Sequence, residues 1–352
     1  MHTRTHDRHL IRAAALGFCI AVAGLAAGLT PLGLELEQDI GLSWLFQLRG
    51  PHTAPAEIIV VTIDRASSDQ LGLSTKPRKW PRNLHADLIR KLSRNGAGVI
   101  AFDIIFEESR NPEHEQELAK AIREAGNVVL FEYLEKKKLT LGVEEGDLAG
   151  AISIEKLAPP VPILADAAIA LAPFPLPKVP EKVGQVYLFK VGANNMPTLP
   201  VTAMQVFALA SYDVLYQLLQ TLAPEKVAAL PPSAHAVYEQ RRLPELMREL
   251  RALFLLDPSL KGKLFARLRE SRGLGDRRTL ELVKSQINMY AGQADMYVNY
   301  YGPPRSITTI PYYRVLEADA DERLPAEIAG KAVFVGFSEQ LQPEQKDGFY
   351  TV

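Results

Sequence analysis

The sequence is poor in several chemistries at once. Its only cysteine is Cys19, inside an apolar N-terminal stretch, so the remainder of the chain has no thiol to pair or to bind metal. That permits an oxidising compartment without requiring one. No sign of charge dominates: 40 Lys and Arg stand against 41 Asp and Glu, a formal net charge of -1. Domains that depend on nucleic acid are usually strongly basic, so nucleic acid is not expected as a partner. No glycine pattern of a dinucleotide or phosphate loop occurs, and no cofactor is expected. Gly336-Phe337-Ser338 begins like a nucleophile elbow, but Gln340 stands where the second glycine belongs. Ser153-Ile154-Glu155-Lys156 has the form of a penicillin-binding signature and lacks its partner motifs.

What is present is a real core. Of the 352 residues, 47% are hydrophobic and 23% charged, which rules out global disorder. From Ala13 to Leu34 no residue is charged, and a membrane-spanning helix needs about 20 residues. Arg4, Arg8 and Arg12 precede this run, and Glu35, Glu37 and Asp39 follow it. The positive-inside bias then puts residues 1–12 in the cytoplasm, a transmembrane helix at 13–34 and the main domain outside, in the periplasm. A cleaved signal peptide is the alternative, with an unusually long apolar region. Leu36, Ile40, Trp44, Leu45 and Leu48 continue as an amphipathic juxtamembrane helix over 35–50, ended by Gly50-Pro51. The extracytoplasmic domain occupies 51–352.

The stretch from Glu57 to Phe106 organises that domain. Ile58-Ile59-Val60-Val61-Thr62-Ile63 ends at Asp64, and Val99-Ile100-Ala101-Phe102 ends at Asp103. Between them a helical stripe of Leu84, Leu88, Ile89 and Leu92 follows Trp80-Pro81-Arg82, with Asn83 as the expected N-cap. Pro112 fits a first helical position, Gly126 ends that helix, and Asn127 to Phe131 is a third strand. The pattern βαβαβ predicts an α/β fold: a mostly parallel sheet with helices on both faces.

From Tyr133 to Gly184 the pattern lapses. Lys136, Lys137 and Lys138 read as a solvated loop, and prolines crowd residues 159–180. Gln185 to Val191 is an expected strand, with an antiparallel sense open to it, and a helix begins near Val201. Residues 211–292 read as a helical insertion packed on one end of the sheet, divided by prolines 224, 231, 232, 244 and 258. Its basic run (Arg241, Arg242, Arg248, Arg251, Lys261, Lys263, Arg267) reads as solvated helix faces, with contact to anionic lipid the sharper alternative. Ala294 to Tyr301 is an expected strand, Pro311 to Leu316 a short helix, and Gly330 to Gly336 a buried strand. No helix follows that strand before Val352, as expected of a cut inside a larger protein.

The ordered set Arg49-Gly50-Pro51, Trp80-Pro81-Arg82 with His85, Ala101-Phe102-Asp103-Ile104-Ile105-Phe106, Asn299-Tyr300-Tyr301-Gly302-Pro303 and Gly330-Lys331-Ala332-Val333-Phe334-Val335-Gly336 resembles the second type of CHASE domain. The helical stretch is longer than that family leads one to expect. The resemblance implies an extracytoplasmic sensory input domain of a membrane-bound receptor, similar to those tethered to adenylate or guanylate cyclases, histidine kinases and Ser/Thr kinases. It also implies a homodimer. The chain itself is then not catalytic. The expected ligand site is a polar network of Asp64, Arg82 and Asp103, with Trp80 and His85 at its rim, taking an unknown small ligand or bracing the sheet end. No metal is expected. A second class of function stays open: a membrane-anchored periplasmic α/β hydrolase or metal enzyme using Asp64, Asp103 and His85.

Overall fold

The computed structural model describes residues 3–28, 30, 33, 40–140, 151–177, 183–270, 273–318 and 327–338. Two helices come first, α1 (Thr3–Gly28) and α2 (Leu42–Arg49). Then follow β1 (Ile58–Ile63), α3 (Arg65–Leu71), α4 (Arg82–Arg94), β2 (Val99–Asp103), α5 (Pro112–Ala125) and β3 (Val128–Phe131). A hairpin of β4 (Tyr133–Thr140) and β5 (Ala151–Ala158) comes next, then the single turn α6 (Pro162–Ala165), β6 (Ala170–Ala172) and the short strands β7 (Gln185–Tyr187), β8 (Phe189–Lys190) and β9 (Met196–Pro197). The helical part comprises α7 (Leu199–Phe207), α8 (Tyr212–Leu222), α9 (Pro224–Val227), α10 (Ala234–Glu239), α11 (Leu243–Leu256), α12 (Leu260–Glu270) and α13 (Arg277–Ala291). The chain returns through β10 (Asp295–Tyr297), β11 (Thr308–Pro311), α14 (Tyr312–Glu317) and β12 (Ala332–Phe337).

The main sheet has six strands in the order β11-β1-β12-β2-β3-β6, and every pair is parallel. The late strand β12 lies between β1 and β2, so those two are not neighbours as the βαβ reading placed them. Side chains alternate between two cores, as the pleat requires. Ile100 and Phe102 enter a core with Leu88, Ile89 and Leu92 of α4 and Leu118 and Ile122 of α5. Val99 and Ala101 enter the opposite core with Leu199, Val201 and Val206 of α7 and, behind them, Leu250, Phe254 and Tyr290. The helix α7 therefore covers a face of the sheet, and the helices of 211–292 pack behind it.

Local chemistry explains the boundaries. Asn111 accepts from the backbone of Glu113 at 2.9 Å and His114 at 3.1 Å, and Pro112 opens α5. Gly126 ends it at φ 70°, a left-handed turn that glycine adopts without strain. Asn83 is not a cap: α4 begins one residue earlier, after Pro81. Lys136 to Lys138 are not a loop either. They lie in β4, in antiparallel register with Ser153 to Glu155 of β5. The expected antiparallel strand is β7, paired with β10.

Part of the basic run forms local pairs, such as Arg242 with Glu249 at 3.2 Å and Arg248 with Glu245 at 2.9 Å, while Arg241 donates to the Asp166 carbonyl. Arg251 is different. It is buried, donates to the carbonyls of Tyr290 at 2.6 Å and Gly292 at 2.8 Å, and lies 4.4 Å over the Phe189 ring. Among the described residues no helix is long and apolar enough to cross a membrane. The span expected at 13–34 lies only partly on described residues. Leu16, Phe18, Ile20 and Leu25 of α1 are all exposed.

Candidate functional site

The five residues expected at the sheet end separate into two groups. Asp64 follows β1 and caps α3, accepting from the Ser67 backbone at 2.8 Å and the Ser67 hydroxyl at 2.7 Å. Asp103 ends β2, exposed, opposite Gly336 of β12. With β12 between β1 and β2, two strand spacings, about 10 Å, separate their backbones. Arg82 does not bridge them.

Arg82 instead pairs with Glu115 at 2.6 Å, and both side chains are buried. The guanidinium also donates to the Glu108 carbonyl and lies 5.7 Å from the centre of the Phe106 ring. Glu115 further accepts from the Arg110 backbone at 2.6 Å and the Ser109 hydroxyl at 3.2 Å. Residues near the starts of α4 and α5 thus hold the loop that leaves β2. Burial lowers the Arg82 pKa while Glu115 pulls it up; arginine starts so high that it stays charged. This is a brace.

Trp80 and His85 form no rim. Both are buried, Trp80 donating to the Ser74 carbonyl at 2.7 Å and His85 Nδ1 lying 2.8 Å from the Tyr312 hydroxyl. Phe102, Phe106 and Tyr312 meet the imidazole edge to face. Burial, then the positive charges of Arg82 and Arg110, push the His85 pKa down to about 3, so the ring is neutral. The set that an enzyme would need, Asp64, Asp103 and His85, is not brought together. Among the described residues no group of three or more His, Cys, Asp or Glu could hold a metal ion.

Sequence reasoning missed two features. Glu132, just beyond β3, is buried, and burial raises its pKa to about 7. Nothing in its neighbours in the chain signals this: β3 ends at Phe131, where the apolar run also ends. The second feature is the seat of α2. Arg49 donates to the Asn299 side chain and to the Tyr300 carbonyl. Phe46 meets the Tyr300 ring edge-on with centres 5.6 Å apart, and the His52 backbone donates to Tyr301 at 2.8 Å. Gly302 lets this happen: a Cβ there would stand 2.6 Å from the Ser306 hydroxyl and 3.1 Å from Pro51. Both motifs were visible, Arg49-Gly50-Pro51 and Asn299 to Pro303, but nothing in the sequence said that they touch.

The fold and this seat define a class: a doubly covered parallel α/β domain fastened, beside its β11 edge, to a helix arriving from the N-terminus. Within that class the chain belongs to the CHASE2 family, whose profile, that of the CHASE2 domain, matches residues 16–352. CHASE2 domains are extracytoplasmic sensory domains of signalling proteins. Comparison with the curated proteins and with the solved structures gives no match.

Proposed function

We propose that this chain is the sensory input part of a membrane-bound bacterial receptor, anchored by α1 and its apolar continuation, with its N-terminus in the cytoplasm. The reading favours a receptor of the adenylate or guanylate cyclase kind, working as a homodimer. The observation that carries it is the seat of α2. A sensor must couple a folded domain to the helix that leads to the membrane, and Arg49, Phe46 and His52 supply that coupling. The uncharged part of α1 from Ala13 on supports the anchor, because its large apolar side chains Leu16, Phe18, Ile20 and Leu25 are all exposed. On α2, Trp44, Leu45 and Leu48 face outward and suit pairing with a second copy.

Reporter fusions after Arg12 and after Gly50 should report opposite sides of the membrane. Single cysteines at positions 44, 45 and 48, with Cys19 replaced by serine, should cross-link in membranes, and one at exposed position 255 should not. Fusions reporting the same side, or a mature chain beginning near Leu29, contradict the anchor. The enzyme reading has no supporting geometry at Asp64, Asp103 and His85.

A further inference from the structure

Parallel strands are ordinarily covered on both faces. On one face α7 packs against β12, β2, β3 and β6. The outer strands β1 and β11 lie beyond it. There Val60 and Thr309, partners in register and only half-buried, face a hollow of about 360 Å³ beneath the turn at 298–307. Tyr300, Tyr301 and Ile307 also line it, so most of its surface is apolar.

One charged side chain lines the hollow, Arg305. It has no partner among the described residues. Its backbone is held at φ 72°, in the left-handed region, although it is not glycine. Such strain persists only where the surrounding structure enforces it, and it collects at binding sites. The hollow's size is at the lower end for small-molecule sites, about 300–1,000 Å³. A guanidinium beside an apolar floor matches a carboxylate on a short apolar body, since the planar fork takes a carboxylate through two parallel hydrogen bonds.

We propose that this hollow binds a small carboxylate with an apolar body, the body on Val60 and Thr309 and the carboxylate on Arg305. Asn299 and Tyr300, which also line the hollow, are the acceptors that hold Arg49. Occupancy therefore bears directly on the seat of α2. That consequence rests on the sensory reading; the binding itself does not.

The test uses the full chain in lipid nanodiscs, with benzoate and butyrate as probes and benzamide as the uncharged isostere. Binding is followed by saturation-transfer NMR against empty nanodiscs. The expected result is saturable binding of at least one carboxylate, with benzamide weaker by about tenfold or more. Arg305→Gly removes the guanidinium and relieves the left-handed backbone together, so the fold is retained; it should weaken binding by about tenfold. Arg305→Lys, which keeps the charge and loses the fork, should bind more weakly than wild type and more tightly than Arg305→Gly, and Val60→Phe, which fills the floor, should abolish binding. No saturable binding of either carboxylate, or equal binding by Arg305→Gly, overturns the proposal. Either outcome leaves the sensory reading standing, because binding is read on this chain alone. Binding without any effect of the ligand on receptor output would count against the sensory reading and not against the site.

Discussion

Arg49 and Asn299 are 250 positions apart in the chain and are joined by a hydrogen bond from the guanidinium to the side-chain oxygen. The same guanidinium reaches the Tyr300 carbonyl and lies 4.7 Å over the Phe46 ring. A single exposed hydrogen bond contributes little, about 1 kcal/mol. Here two hydrogen bonds, an aromatic contact and a close backbone approach act on one short helix, so α2 has a fixed place.

Gly302 sets how close Pro51 comes. Gly302→Ala puts a methyl where the Ser306 hydroxyl and Pro51 already stand. It should destabilise the domain by about 1–3 kcal/mol, as overpacking does. Pairing it with Ser306→Gly, which frees the nearer contact, should recover part of the loss. Urea unfolding of the two variants checks this.

The Arg82–Glu115 pair should behave as a brace. Arg82→Ala leaves a carboxylate buried and should cost about 3–5 kcal/mol. Replacing both, as Arg82→Met with Glu115→Leu, should cost less than the sum of the single changes, because the stranded charge is gone. A melting temperature within a degree of wild type for Arg82→Ala would contradict the brace.

Glu132 should make the domain less stable as pH rises. Its folded pKa is raised from 4.5 to about 7. Between those values the native state keeps a proton that the unfolded chain has lost, so stability is full below the lower value and falls as pH climbs through the upper one. Glu132→Gln should therefore melt higher than wild type at pH 8 and about the same at pH 4.5. Equal melting temperatures at pH 8 would contradict the buried carboxyl.

His85 acts in the opposite direction. Its folded pKa is lowered from 6.5 to about 3, so its contribution is present above the upper value and lost as pH falls. At pH 5 the loss is roughly 2 kcal/mol. His85→Phe, which keeps the aromatic contacts, should be less stable than wild type at pH 7.5, where the Tyr312 hydroxyl loses its partner. The gap should narrow at pH 5. Unfolding free energies at the two pH values decide it.

The sheet was legible because its strands are runs of β-branched residues bounded by polar turns, as at Ile58–Ile63 and Ala332–Phe337. Their order was not. The insertion of β12 between β1 and β2 depends on a return of the chain across more than 200 residues, and no local pattern encodes it. The site failed for the same reason. Asp64, Arg82 and Asp103 looked convergent only while their strands were taken as neighbours. Once separated, Arg82 took the nearer carboxylate, Glu115, one turn into α5. The lysines of β4 were misread because a charged run resembles a loop unless its cross-strand partner is known. Trp80 and His85 were misplaced because burial of a polar ring depends on what it meets, here Ser74 and Tyr312.

The most direct test of the coupling through Arg49 is hydrogen exchange along α2, Leu42–Arg49, in the full chain reconstituted in lipid nanodiscs, wild type against Arg49→Ala. With Arg49 removed, the amides of α2 should exchange at least about tenfold faster, while those of β1 and β12 keep their protection. If the α2 amides exchange at the same rate in both proteins, the helix is not held by Arg49, and the coupling proposed between the membrane helix and the sensory domain is wrong.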